Sequence, residues 1–171
     1  MLKKITLVSI LVLFSSLIIY KVNTPKNTDA AVIVVKVLTW DLVDSGKHLD
    51  WGGSSKYSTN LSSGATVWNN YKSGVIRPDT ASTLQDVTIS DYYEVSSTAG
   101  VTSSGGTLKF NDYKMSGYDS TKKKNVAMHE LGHALGLAHN LSGDVMYAYV
   151  STVVTLSFND KASYDEAYRK Y

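Results

Sequence analysis

The sequence predicts an α+β domain that follows a short N-terminal targeting segment. Residues 31–40 are rich in valine and isoleucine, as expected of a β-strand. Within residues 86–90, Val87 and Ile89 alternate with polar residues, which is typical of a strand with one buried face. A helix is indicated where apolar residues recur at helical spacing, at Leu61, Ala65, Trp68 and Tyr71.

The length and composition are those of one globular domain. Of the 171 residues, 43% are hydrophobic and 19% are charged, which excludes a disordered or collagen-like chain. Residues 1–30 hold four of the 17 basic and one of the 15 acidic residues, which leaves 13 basic and 14 acidic residues in the remainder. A near-neutral domain argues against nucleic-acid binding, which needs a basic face. Because the sequence has no cysteine, disulfides, cysteine zinc sites, iron–sulfur clusters and thiol catalysis are excluded.

The N-terminus has the pattern of a secretory signal. Two early lysines precede the mostly apolar residues 5–20, and Lys21 ends the apolar run. A membrane-spanning helix usually needs about 20 apolar residues, so the shorter run favours a cleaved signal over an uncleaved anchor. Both stay open, since residues 28–30 form only a loose cleavage site. We expect residues 1–30 to be a signal peptide or anchor plus linker, and the protein to be secreted or tethered to the outer face of the membrane.

The first helix is bounded by residues that favour helix ends. Ser62 or Ser63 can cap a helix over residues 63–72, and Gly74 lies just past its last turn. The polar stretch 44–61 before this helix is predicted to be a loop. Strands are predicted, in order, at residues 31–40, from 75, and at 86–90, 107–113 and 150–156.

Two further helices complete the predicted domain. Asp119 or Ser120 can cap a helix that runs to about Gly136. The stretch 96–106 before it is rich in Ser, Thr and Gly and is predicted to be a loop. The last helix is predicted at residues 159–171.

One short stretch contains the residues expected to carry chemistry: residues 129–139 read HELGHALGLAH. His129 and His133 are four residues apart, so on a helix they lie on one face and can share a metal ion. Glu130 can lie beside that metal without binding it, and can take a proton from a bound water. A bare His-Glu-x-x-His also arises by chance, but the longer pattern is far more specific.

A glycine and a third histidine extend this pattern. Gly136 can adopt a positive φ, so the helix can stop there and the chain can turn. The turn lets His139 come back to the same metal. Three neutral imidazoles leave a fourth position open for water, which is the arrangement of a catalytic zinc site. His48, the remaining histidine, lies in a polar loop and is interpreted as exposed rather than metal-binding.

Residues 129–139 resemble the extended zinc motif of the metzincin endopeptidases, and more closely its matrixin version. Residues 144–147 resemble the methionine turn of that family, in which Met146 is a packing floor and not a ligand. A weaker likeness covers most of residues 35–171. It includes residues 36–40 as the first strand, 61–72 as the first helix, 86–89 as the second strand and 105–111 as the strand before the active-site helix.

The resemblance implies an α+β zincin fold, with a twisted and mostly parallel sheet, an active-site helix, and a small C-terminal subdomain that holds the methionine turn. Residues 31–171 would then be a zinc-dependent endopeptidase acting on proteins or peptides. One catalytic Zn²⁺ would be held by His129, His133 and His139, with Glu130 as the base. We expect a monomer without a nucleic-acid partner, and membrane contact only through an uncleaved N-terminal segment.

The sequence also departs from the family pattern. Ala148 stands where matrixins often have proline after the turn methionine, which leaves the pocket wall undetermined. Because only His48 is spare, the second, structural zinc of animal matrixins is not expected. Latency through a propeptide cysteine is excluded, since the sequence has no cysteine. A Ca²⁺ site has no support in the sequence.

Two other classes of function stay open. One is a non-catalytic zinc protein that binds peptide or cell-wall components, and Glu130 argues against it because structure alone does not need that carboxylate. The other is a membrane-tethered domain that only recognises a partner.

A peptide substrate of such an enzyme is expected to pair with an exposed sheet edge. The candidate edge is residues 105–111, with Thr107, Leu108 and Lys109 as the positions to test. The preceding loop is the second candidate.

Overall fold

A computed structural model describes residues 32–171, which build a five-stranded sheet. In sequence order the strands are β1 (Leu49–Gly53), β2 (Ile76–Pro78), β3 (Val87–Tyr92), β4 (Gly100–Ser103) and β5 (Thr107–Asn111). Their order in the sheet is β2-β1-β3-β5-β4. All neighbouring strands are parallel except β4 and β5, which are antiparallel. The predicted α+β class with a mostly parallel sheet is confirmed.

The helices are α1 (Ser58–Tyr71), α2 (Asp112–Met115), α3 (Ser120–Ala134) and α4 (Phe158–Tyr168). The predicted cap of α3 is Asp119, whose side chain accepts a hydrogen bond from the backbone N–H of Lys122. None of the helices in residues 32–171 combines the length and apolarity needed to cross a membrane. The predicted signal or anchor, residues 1–30, lies outside the described residues.

The prediction of a strand at residues 31–40 is wrong for the part that is described. This segment makes a single antiparallel bridge, between Val37 and Leu137, and lies against the chain that leaves α3. The first strand of the sheet, β1, is instead inside the predicted loop 44–61. Residues 150–156 also form no strand. In both places β-propensity alone was misleading, because strand formation depends on a partner in register.

The predicted substrate edge is also wrong. Thr107, Leu108 and Lys109 lie in β5, which pairs with β3 on one side and β4 on the other, so its backbone is not free. The edge strand on this side of the sheet is β4, inside the predicted loop 96–106. Gly106, with φ of 77°, turns the chain so that β4 and β5 form a hairpin.

Helix α3 is fixed by packing against α1. The indole nitrogen of Trp68 on α1 donates a hydrogen bond of 3.0 Å to the carbonyl of Met128 on α3. Gly64 allows the close approach, since a Cβ there would lie 3.1 Å from Cγ of Met128. Leu108 and Phe110 of β5 are fully buried in the same core. The helix that carries the predicted metal ligands is therefore rigidly placed against α1 and the sheet.

Candidate metal centre and cleft

The three predicted ligands converge in space. His129 and His133 lie one turn apart on α3, and His139 follows the helix, yet one ligand atom from each lies within 4.8 Å of the others. The Nε2 atoms of His133 and His139 are 3.2 Å apart. Two zinc ligands at about 2.0–2.1 Å in tetrahedral geometry are separated by roughly 3.3 Å. The spacing therefore fits two nitrogens that share one Zn²⁺.

Backbone carbonyls hold the rings of both helical histidines. Nδ1 of His129 lies 3.0 Å from the carbonyl oxygen of Val145, and Nδ1 of His133 lies 2.8 Å from that of Leu137. Since a carbonyl oxygen only accepts, Nδ1 carries the proton in each ring. In the neutral ring Nε2 then keeps its lone pair, which is the state required of a metal ligand.

The surroundings keep these rings neutral. Burial, together with the neighbouring rings of His133 and His139, lowers the pKa of His129 to about 3. Burial and the nearby His139 also lower the pKa of His133. Neutral imidazole rings that turn their nitrogen lone pairs toward one another are a set of donors that suits Zn²⁺.

A tight helix end brings His139 to the other two histidines. The N–H of Leu137 bonds the carbonyl of Gly132, and the N–H of Gly136 bonds that of His133, both at 2.9 Å. This pair of bonds is the Schellman motif, and it needs a residue with positive φ. Gly136 supplies it, with φ of 85°. The turn predicted from the glycine is confirmed.

Met146, in the segment predicted to be the methionine turn, packs against α3. Its side chain is fully buried. Its sulfur fills the space next to Gly132, where a Cβ would collide with it. The carbonyl of the preceding residue, Val145, is the one that orients His129. The turn is thus both a floor for the helix and a support for one candidate ligand.

Asp160 of α4 holds this turn. Its fully buried carboxylate accepts hydrogen bonds from the backbone N–H groups of Val145, at 3.0 Å, and Met146, at 3.2 Å. The same carboxylate accepts the N–H of Ser157, whose hydroxyl caps α4 in return. The first turn of α4 and the methionine turn therefore form one hydrogen-bonded unit.

The carboxylate of Glu130 is buried between α3 and the edge strand β4. The hydroxyl of Thr102 donates to its Oε2 atom at 2.8 Å. Burial raises the pKa of Glu130 to about 7, and the hydrogen bond from Thr102 opposes that rise. A cation bound nearby would lower this pKa. Gly100 gives the side chain room, since a Cβ there would lie 2.7 Å from Cγ and Oε1 of Glu130.

These groups open into a cleft of about 600 Å³. One wall is residues 97–102, which include the first three residues of β4, and a second wall is residues 147–150. Helix α3 forms the floor with Asn125, Val126, His129, Glu130 and His133. The volume is within the range of ligand pockets in general, and the exposed edge of β4 along the cleft suits an extended peptide.

Several residues that line or support the cleft were missed by sequence reasoning. Gly100 and Thr102 lie in a Ser/Thr/Gly-rich stretch that predicts a loop, and Asn125 and Asp160 belong to no motif that the sequence analysis singled out. The helical spacing between Asn125 and His129 is the one signal that could have indicated a shared face.

His48 is not part of the metal centre. Its ring lies 3.8 Å from the carboxylate of Asp44. Asp44, Asp50 and Asp86 form a second group of potential ligands, but Arg77 binds Asp50 through two hydrogen bonds of 2.7 and 2.8 Å. The ion pair between Arg77 and Asp50 therefore explains why these carboxylates lie together without a metal ion.

Comparison with known proteins gives one result. The family model described as Matrixin, an M10 peptidase family, matches residues 39–169. No curated protein matches the chain. The match spans both walls of the cleft, the histidine motif and α4.

Proposed function

Since the chain belongs to the matrixin family of peptidases, we propose that it is a zinc-dependent endopeptidase that works as a monomer. His129, His133 and His139 would bind one Zn²⁺, and Glu130 would be the general base. The observation that carries this proposal is the convergence of three histidine side chains beside a buried carboxylate, in an open cleft. All of these groups come from one chain, so the site needs no second copy to be complete.

Bound zinc would polarise the scissile carbonyl and lower the pKa of water toward about 7. Glu130 takes the proton of the attacking water and delivers it to the leaving amine. Thr102 holds one oxygen of Glu130, so the other remains available to water. Nδ1 of each helical histidine stays protonated on its carbonyl partner, which keeps both rings in the ligand tautomer.

The substrate would lie extended along β4. In an antiparallel pair, opposed residues alternate between bonded and non-bonded pairs. The N–H of Asn111 donates to the carbonyl of Ala99 at 2.8 Å, so Val101 is in the next bonded pair. Gly100 and Thr102 therefore turn their backbone N–H and C=O groups away from β5, toward the open edge. A peptide backbone can bond to these groups, as in β-augmentation.

The first test concerns the metal and the base. The purified domain should bind about one zinc ion per chain, and alanine at any of the three histidines should abolish most of that binding. Glu130→Gln should keep zinc and fold but lose casein digestion by roughly a thousandfold. Wild-type protein that takes up no zinc would overturn the proposal. Protein that binds zinc but leaves casein intact would favour the non-catalytic alternative.

The second test concerns the substrate position. Peptides N-methylated at single backbone amides lose one donor each without changing their side chains. Methylation should reduce cleavage at alternate positions only, because only alternate residues of an extended peptide face β4. An equal effect at successive amides would contradict this position.

The proposed location of the protein depends on the mostly apolar residues 5–20. We propose that they direct export and that the domain acts outside the membrane, either released or tethered. Cell fractionation with N-terminal sequencing of the mature protein distinguishes the two forms. Full-length protein retained in the cytoplasm would contradict export.

A further inference from the structure

One wall of the cleft has little backbone structure of its own. Residues 147–150 line the cleft, and the chain continues without helix or strand to Ser157. Within the described part of the chain, residues 148–156 make no backbone-to-backbone hydrogen bond. A segment with so few bonds needs another constraint to hold a fixed position.

Asn125 supplies that constraint. Its side chain, only 3% exposed, lies on α3 one turn before His129. The amide nitrogen donates to the carbonyl of Val153 at 2.7 Å, and the amide oxygen accepts the N–H of Ser151 at 2.9 Å. The hydroxyl of Ser151 in turn accepts the N–H of Val153 at 3.1 Å. One side chain thus satisfies a backbone donor and a backbone acceptor of the segment that directly follows the wall.

Asn125 makes its contact with Ser151 and Val153 next to a predicted metal ligand. Because residues four apart share a helix face, Asn125 and His129 both face the cleft, and both line it. Any apolar residue of similar size at position 125 would leave the N–H of Ser151 and the carbonyl of Val153 without this partner. The segment that directly follows Tyr149 and Val150 is therefore tied to α3 by two hydrogen bonds to one amide.

We propose that Asn125 is a positioning residue that sets the width of the cleft beside His129, and so decides which substrate side chains the enzyme accepts. The inference rests on the peptidase function proposed above. When the amide is removed, the wall should move freely, and bulky and small side chains should be accepted more equally. Zinc binding and Glu130 should be unaffected, because neither contacts the amide of Asn125.

The chain offers a matched control away from the cleft. Asn69 on α1 binds the N–H and the carbonyl of Ile76 in the same way, at 3.0 and 2.8 Å. It does not line the cleft. Asn125→Leu and Asn69→Leu therefore remove equivalent amide contacts, and only the first should change substrate choice.

The experiment measures two properties of the zinc-loaded full domain. Amide hydrogen exchange at Ser151 should become about tenfold faster in Asn125→Leu and stay unchanged in Asn69→Leu. Cleavage of a peptide library should show KM for the preferred peptides rising about tenfold in Asn125→Leu, with kcat within about threefold, and a flatter preference for side-chain size. Asn125→Asp keeps the acceptor for Ser151 and loses the donor to Val153, so it should be intermediate. It also serves as the test if Asn125→Leu fails to fold.

The outcomes separate this inference from the proposed function. Unchanged exchange at Ser151 would show that the amide does not hold the wall. Faster exchange with unchanged KM and preference, in an active enzyme, would refute the role of Asn125 in specificity. Wild-type protein that cleaves no peptide in the library would refute the peptidase assignment, and the specificity role with it. Faster exchange together with a flatter preference supports the inference.

Discussion

The hydroxyl of Thr102 lies 2.8 Å from Oε2 of Glu130 and 3.0 Å from the backbone carbonyl of the same residue. Through this contact the edge strand β4 meets the active-site helix at the proposed base. The strand proposed to bind the substrate backbone is thus also the strand that orients the group expected to move the proton. Substrate position and base position are set by the same element.

Replacing Thr102 with valine tests this contact. The side chain keeps its shape but can no longer donate to Glu130. A hydrogen bond to a charged group contributes about 1.5–3 kcal/mol, so kcat should fall roughly tenfold or more. Thr102→Ser should retain most of the activity, and zinc content should be normal in both variants. Equal activity in the valine variant would show that Glu130 is oriented by other contacts.

Gly100→Ala should displace the Glu130 side chain. The added Cβ would lie 2.7 Å from both Cγ and Oε1 of Glu130, closer than real contacts allow. A small misplacement of a catalytic group can reduce the rate by roughly a hundredfold. Gly105→Ala is the control, because its Cβ would have its nearest neighbour, the hydroxyl of Ser103, at 3.7 Å. Steady-state kinetics on both variants, with zinc analysis, checks the expectation, and similar losses in both would contradict it.

Asp160→Ala should weaken both the fold and the metal centre. The change leaves the buried N–H groups of Val145 and Met146 without an acceptor and removes half of the α4 capping box. We expect a loss of about 3 kcal/mol in the free energy of unfolding. Zinc affinity should also fall, because the carbonyl of Val145 orients His129. Urea unfolding with zinc titration measures both effects.

The control for Asp160 lies on the same helix. Glu166 pairs with Arg169 at the surface, and exposed pairs contribute little to stability. Glu166→Ala should therefore leave both quantities nearly unchanged. A stable Asp160→Ala variant with normal zinc affinity would show that the methionine turn holds its shape without α4.

Arg77→Met should make stability less dependent on acid pH. Two hydrogen bonds from the Arg77 guanidinium hold the pKa of the buried Asp50 below its usual value, against the opposing effect of burial. A carboxyl group with a lowered folded-state pKa stabilises the protein above its unfolded pKa of about 3.9, and this stabilisation is lost as the pH falls through the folded-state value. The variant should thus be less stable than wild type at pH 7, and the difference should shrink below about pH 4. Unfolding curves across this pH range measure the difference in stability between the variant and the wild type. A difference that does not change with pH would show that the pKa of Asp50 does not contribute to it.

The sequence alone determined the features that depend on near neighbours along the chain. The spacing of His129 and His133 places both rings on one face of a helix, and Gly136 allows the turn that brings His139 back. The cap at Asp119 and the buried alternation of β3 and β5 are local in the same way. These features follow from helix pitch, strand pleat and the φ range of glycine, which operate over a few residues. The match of the family model is consistent with that local pattern.

The tertiary structure decided which strand is the edge, where β1 lies and how the cleft wall is held. Residues 100–103 have a composition that suits a loop equally well, and they become β4 only because β5 offers a partner in register. The contacts of Thr102 with Glu130, and of Asn125 with Ser151 and Val153, join residues 26 to 28 positions apart. Single hydrogen bonds between distant residues leave no periodic trace in a sequence, because each needs only one donor and one acceptor to meet. The fold alone determines where they meet.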